Sequence, residues 1–197
     1  IHGHKTGYFL DHRHNRKRVG EFSKNKTVLD VFSYAGGFSV HALSGGAKSV
    51  TSLDISAQAL EMAKQNVALN KLESNHQILV GDAFKKMKEL ANNQKRFEIV
   101  VVDPPSFAKR ESEVEKALNA YTQLTKLAIE LVNKNGILVM ASCSSRVSSE
   151  AFFELIFNQL KLSKRKFQEL ERTFHDIDHP IRFEEGKYLK CGYFQLD

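Results

Sequence analysis

Short apolar runs alternate along the chain with longer stretches whose apolar residues fall at helical spacing. Val28 to Phe32, Ser49 to Asp54, Gln77 to Val80, Phe97 to Val102 and Gly136 to Ala141 read as five strands. The run Phe97 to Val102 is apolar nearly throughout, the pattern of a strand covered on both faces. Between the strands lie a short helix ending at Gly45-Gly46 and one capped by Ser56 that carries Leu60, Ala63 and Val67 toward Asn70. A helix over Ala83 to Ala91 follows. Next, Val114, Leu118, Tyr121, Leu124, Ala128 and Leu131 step by threes and fours. Ser149 is the expected cap of a last helix bearing Phe152, Phe153, Ile156 and Leu160. Lys166 to Leu170 and Tyr188 to Leu196 then follow each other without a long helix, so they are expected to pair antiparallel at one edge. Strand–helix units in series predict an α/β, doubly wound, mostly parallel sheet.

Composition narrows the classes. At 197 residues the chain suits one domain, and 42% hydrophobic with 26% charged residues excludes a disordered polypeptide. No apolar run approaches the ~20 residues that cross a bilayer, and no secretory signal precedes the first strand, so no membrane partner is expected. Two cysteines make no disulfide framework, which points to the cytoplasm. The chain opens on isoleucine and is expected to be a piece of a longer protein. Its net charge is +6, and Lys5, Arg13, Arg16, Lys17, Arg18, Lys24 and Lys26 concentrate most of the excess in residues 1–26. That strip is the footprint of a phosphate-rich partner such as RNA, the plainer reading being a solvated basic arm. His2, His4, His12 and His14 lack companion ligands at metal-binding spacing, so no metal site is expected.

Ligands of doubly wound sheets sit beyond the carboxyl ends of the strands. Those ends carry Asp54, Asp82, Asp103 and Cys143, with Asp30 inside the first strand. Gly36 and Gly37 follow that strand, and Asp54 lies near the distance downstream expected of an acid that holds ribose hydroxyls. The loop Ser33-Tyr34-Ala35-Gly36-Gly37-Phe38 lacks the G-x-G-x-x-G spacing of a pyrophosphate cradle. A nucleoside ligand without pyrophosphate, such as S-adenosylmethionine, fits better.

On these residues the chain resembles the class I S-adenosylmethionine-dependent methyltransferases, and within them the bacterial large-subunit (23S) ribosomal RNA cytosine-C5 methyltransferases. The resemblance rests on Gly7 to Arg13, Val28 to Phe38, Ser52 to Ser56, Gly81-Asp82-Ala83, Val102 to Phe107 and Ser142-Cys143-Ser144. It implies a Rossmann-like sheet of seven strands with an antiparallel edge strand. It also implies an upstream PUA-type RNA-binding domain beyond this chain, residues 1–26 acting as a cofactor and RNA strip, and 27–197 as the catalytic domain. By the same resemblance Asp30, Ser33, Tyr34, Gly36 and Phe38 cradle the methionine part of S-adenosyl-L-methionine. Asp54 would take the ribose hydroxyls, Ile55 would be a further cofactor contact, and Asp82 with Ala83 would take the adenine. Phe9, Asp11 and Arg13 would add a further cofactor contact, with Arg13 or Arg16 meeting its carboxylate.

Asp103 would touch both cofactor and base, Pro104 and Pro105 would present the target base, and Phe107 would stack on it. Cys143 would be the nucleophile: cytosine C5 is too weak a nucleophile to take a methyl group until a thiolate adds at C6. Each assignment has a plainer counterpart. The aspartates could cap helices, Phe107 could pack in the core, and Cys143 could be a small buried side chain. Cys191, in mid-strand, reads as structural. Asp176, Asp178 and His179 are candidates for the base that removes the C5 proton by chemical type alone. Methylation of guanine N7 or an exocyclic amine, a nicotinamide oxidoreductase, and a non-catalytic RNA-binding module are the competing functions. Assembly as a homodimer stays open.

Overall fold

The computed structural model describes residues 8–183 and 186–197. Expectations placed on His2, His4, Lys5 and Gly7 lie outside the described residues. Seven strands are ordered β3-β2-β1-β4-β5-β7-β6, as the Rossmann-like reading requires. They are β1 (Thr27–Val31), β2 (Ser49–Asp54), β3 (His76–Val80), β4 (Phe97–Val102), β5 (Val132–Ser142), β6 (Phe167–Thr173) and β7 (Lys190–Leu196). The helices are α1 (Arg13–Phe22), α2 (Gly37–Ser44), α3 (Ala57–Leu69), α4 (Ala83–Asn92), α5 (Val114–Leu131) and α6 (Ser149–Leu162). The chain divides into two compact units, one ending at Ala83 and the other beginning at Phe84.

In the first unit β1, β2 and β3 pair in parallel, Val28 with Val50 and Leu53 with Leu79. Val28, Leu29, Val31, Val50 and Leu53 are buried in this sheet. Phe32 leaves β1 with φ +63°, one residue earlier than the sequence pattern suggests, and Tyr34 and Gly36 also take positive φ on the way to α2. Gly36 has a second constraint: a Cβ there would stand 2.8 Å from Ala63 Cβ of α3. Ser56 caps α3 as expected, its Oγ accepting from Ala59 N at 3.2 Å.

In its described part the basic strip is folded, with exposed Arg13, Lys17 and Lys24 and an inward face. Leu10–His12 form a 3-10 turn that runs into α1, and Asn15, Arg16, Val19 and Gly20 turn inward at helical spacing. The charge run concealed this helix because Val19 is its one fully buried aliphatic residue. The face is polar and glycine-bearing so that α1 can approach α2 closely. A Cβ on Gly45 would lie 2.0 Å from Gly20 O, and one on Gly20 would lie 2.7 Å from His41 O.

In the second unit β4 and β5 are parallel, while β7 is antiparallel to both β5 and β6. The edge pairing inferred from sequence therefore holds, and β7 is the strand inserted between two partners. β5 starts earlier than its apolar run, because α5 passes into it at Val132 without a loop. Ser148, not Ser149, caps α6: its Oγ accepts from Ala151 N at 3.1 Å. The core holds an edge-to-face aromatic series, Phe107 on Tyr121 at 5.2 Å, Tyr121 on Phe152 at 5.3 Å and Phe152 on Phe153 at 5.4 Å.

The α1–α2 crossing predicts a specific weakness. Gly45→Ala forces a methyl group against backbone that cannot rotate away. The expected loss is about 3 kcal/mol, the upper end of overpacking costs, seen as a lowered midpoint in thermal denaturation. An unchanged midpoint would contradict this crossing.

Candidate active site

The first unit builds its site from the bend that ends β1. Asp30 is buried in β1 and its Oδ2 accepts from Ser39 N at 3.0 Å and from Ser39 Oγ at 2.6 Å. The aspartate thus fixes the first turn of α2 against the strand. Ser39 Oγ also lies 2.6 Å from Ser52 Oγ, which lies 2.7 Å from His76 Nε2. With the single Ser39 proton given to Asp30, Ser52 must donate to Ser39 and His76 must donate to Ser52. The order of protons therefore fixes His76 with hydrogen on Nε2. Burial, then Lys64, holds His76 below the usual histidine pKa, consistent with a neutral ring.

Asp54 ends β2 half-buried. Its Oδ2 accepts from Tyr34 N at 2.9 Å and its Oδ1 from Ser56 N at 2.9 Å. It ties the loop after β1 to the start of α3, so both its helix-entry role and its bond to the candidate loop are real. Two lone pairs per oxygen leave it acceptor capacity toward hydroxyl donors. Ile55 beside it is 71% exposed, an apolar surface with no burial in its own unit. Ser33 is buried and its N–H donates to Leu53 O at 3.1 Å, whereas Phe38 is buried against the His12 ring at 5.5 Å. Asp82 immediately precedes α4, which begins at the buried Ala83.

From the N-terminal strip, Phe9 is exposed and meets Tyr34 edge-on at 5.9 Å, Asp11 is buried, and Arg13 is exposed on α1. The residue that tightens the strip is Arg16. Its buried guanidinium donates to Phe9 O at 2.7 Å and lies 4.2 Å from the Tyr8 ring centre. Arg16 therefore organises the strip from inside and is not a surface charge.

The second unit places its candidates at the ends of β4 and β5. Asp103 follows β4 half-buried, Pro104 is buried and Pro105 exposed. Cys143 follows β5, half-buried, with its Sγ 3.8 Å from Pro104 O. The thiol and the Asp-Pro-Pro turn are thereby neighbours, 39 residues apart in sequence. Phe107 packs against Tyr121, so its ring has a core contact. Tyr121 donates to Ser142 Oγ at 2.9 Å, and its phenol is pushed up first by burial and then by the charges of Cys143 and Asp103. Both groups therefore act on one buried ring. Cys191 is fully buried and its thiol is pushed up by burial, in keeping with a structural role. The turn that carries Asp176, Asp178 and His179 follows β6; Asp176 and His179 are half-buried and Asp178 is exposed. His179 N donates to Asp176 O, closing the turn.

One buried charge escaped the sequence reading. Lys190 in β7 pairs in register with Ser142, and its ammonium donates to Ser144 O at 2.5 Å, Val147 O at 2.6 Å and Tyr188 O at 3.2 Å. It is 1% exposed. The signal was a lysine set among Leu189, Cys191 and Tyr193 in an otherwise apolar strand. Among the described residues no group of histidine, cysteine and carboxylate side chains is arranged to hold a metal ion, and no helix is long and apolar enough to cross a membrane.

Comparison with known proteins gives these strand ends a context. The profile of the S-adenosylmethionine-dependent methyltransferases matches residues 2–176. A ribosomal RNA large subunit methyltransferase of Deinococcus radiodurans is 43% identical over 196 residues, covering 99% of this chain and 48% of that protein. Ribosomal RNA large subunit methyltransferase I of Tolumonas auensis is 41% identical over 191 residues, covering 95% and 48%. The chain thus spans about half the length of these curated relatives. The crystal structure of SMU.776, a methyltransferase complexed with SAH, superposes with a TM-score of 0.87 at 28% identity over 98% of this chain and 51% of that one. A match over most of its length settles the family: this chain belongs to the S-adenosylmethionine-dependent methyltransferases.

Proposed function

We propose that the protein methylates C5 of a cytosine in large-subunit ribosomal RNA, with Cys143 adding to C6 of the base. The observation that carries this reading is the half-buried Cys143 sulfur beside the Asp103-Pro104-Pro105 turn. A cysteine serving only as packing belongs, like Cys191, inside the strand. The RNA substrate is carried over from the Deinococcus and Tolumonas proteins, which are named as ribosomal RNA large subunit methyltransferases. The net charge of +6 suits it.

The donor set fits the methyl donor. The Asp54 carboxylate accepts from ribose hydroxyls, Ile55 offers an apolar face to adenine, and Asp82 with Ala83 N–H reads the adenine edge. The bend from Ser33 to Phe38, held by Asp30 through Ser39, takes the amino-acid end at the start of α2, with Phe9, Asp11 and Arg13 closing that side. When bound, S-adenosylmethionine supplies an electrophilic methyl on a sulfonium. The chain's own residues do the rest. Pro104 and Pro105 fix a turn whose carbonyls face the base, and Asp103 accepts from its N4–H edge. The Cys143 thiolate forms a bond to C6, giving C5 enamine character. After methylation a base removes the C5 proton and the sulfur is expelled. Asp176, Asp178 and His179 remain the candidates for that proton, and Phe107 a stacking partner at the rim. An upstream RNA-binding domain beyond this chain would help deliver the RNA, and residues 1–26 would be the strip that contacts cofactor and RNA.

Two outcomes are expected. Cys143→Ala should lower transfer of labelled methyl to large-subunit RNA about a thousandfold or more, because the covalent route disappears. Wild type should also form a denaturant-resistant adduct with RNA carrying 5-fluorocytidine, whose C5 fluorine cannot leave as a proton does. A Cys143→Ala protein that still methylates would end the C5 reading. Separately, Asp54→Asn should weaken S-adenosylhomocysteine binding about tenfold in calorimetry, the scale of one charge-assisted hydrogen bond. Unaltered affinity would remove Asp54 from the cofactor site.

A further inference from the structure

We propose that Lys190 is a positioning residue of the reaction: its buried ammonium ties down the turn behind Cys143 and is the counter-charge that holds the Cys143 sulfur as thiolate. The inference rests on the reading of Cys143 as nucleophile and concerns how its sulfur is prepared. A lysine 1% exposed in an apolar strand is costly to keep charged unless its ammonium is both hydrogen-bonded and electrically matched. The first condition is met by the carbonyls of Ser144, Val147 and Tyr188, three acceptors for three N–H donors. The second is not met by a carboxylate, since among the described residues no Asp or Glu oxygen forms an ion pair with Nζ.

The register shows what takes that place. Lys190 pairs with Ser142, the residue before Cys143, and its side chain reaches carbonyls on the far side of the cysteine at Ser144 and Val147. The ammonium and its stem therefore embrace the two flanks of the turn on which the sulfur stands. Burial draws the Lys190 pKa down to about 8, and negative charge on Cys143 and then Glu150 pulls it back up, so lysine and thiol are electrically coupled. At neutral pH such a lysine is still mostly protonated. The charged groups around the pair are Glu150 in the first turn of α6, Asp103 after β4 and the Tyr121 phenol on α5. Charges on Cys143 and on Asp103 both act on the Tyr121 phenol. On ionisation the thiol proton goes to solvent and Lys190 keeps its own. When the sulfur attacks C6 the anion is consumed, so the ammonium favours the poised enzyme and not the adduct.

The test reads the thiol directly and needs neither RNA nor cofactor. The rate of iodoacetamide alkylation at Cys143 is followed against pH by peptide mass analysis; Cys191, buried, provides the internal reference. Wild type should titrate with a midpoint clearly below the ~8.5 of an ordinary thiol. Lys190→Met should raise the midpoint by about one pH unit, cutting reactivity at neutral pH about tenfold. Lys190→Arg, which keeps the charge, should restore most of it. A purely structural lysine would change the melting temperature without moving the midpoint. An ordinary midpoint in wild type overturns the proposal even if Lys190→Met does not fold, as does an unmoved midpoint in a folded Lys190→Met protein. Methylation surviving in Cys143→Ala would instead retire the covalent mechanism and leave the thiolate pairing to stand or fall on these midpoints.

Discussion

Strands that are apolar on both faces leave polar chemistry nowhere to sit except at their ends. Ile99, Val100, Val101 and Val102 are all fully buried, and the next residue is Asp103. In β5, Leu138 to Ala141 are likewise closed off, and the half-buried Cys143 comes two residues later. The hydrophobic effect that assembles the sheet therefore also sorts its reactive groups to the rim. Asp54 and Asp82 also follow strands in the other unit, although β3 there is only partly covered.

Several polar side chains that enter the interior grip backbone or neighbouring hydroxyls there. Asp30 is tolerable in β1 because Ser39 gives it two donors, and Ser52 and His76 extend the line to the half-buried edge strand β3. A connected network of this kind specifies geometry in a way that an apolar residue cannot, since each hydrogen bond has a direction. It fixes how α2 leaves the sheet, and with it the bend from Ser33 to Phe38. Lys190 does for the turn after β5 what Asp30 does for the bend after β1: a buried charge grips a loop from below. Arg16, on the buried face of α1, is a third case, holding the Phe9 carbonyl.

Fold class and most of the elements were legible because strands and helices announce themselves by period. Ser56 and the stepped residues of α5 mark their helices where the structure has them. The misplacements have local causes. α1 was hidden because its inward face is built from Asn15, Arg16 and Gly20, none of which reads as apolar. The cap of α6 moved by one residue because Ser148 and Ser149 offer the same hydroxyl and only the backbone entry angle distinguishes them.

The sequence by itself determined that the chain makes an α/β sheet, that carboxylates and one cysteine follow successive strands, and that glycines relax the first bend. Those properties depend on residues close together in the chain. Only the tertiary structure decided that Cys143 lies against Pro104, that Asp54 holds the Tyr34 amide, and that Lys190 reaches across to the turn beyond Ser142. Such contacts join residues far apart in sequence through strand order and register, and the antiparallel insertion of β7 beside β5 is set by which sheet edge remains to be covered, a quantity no local pattern encodes.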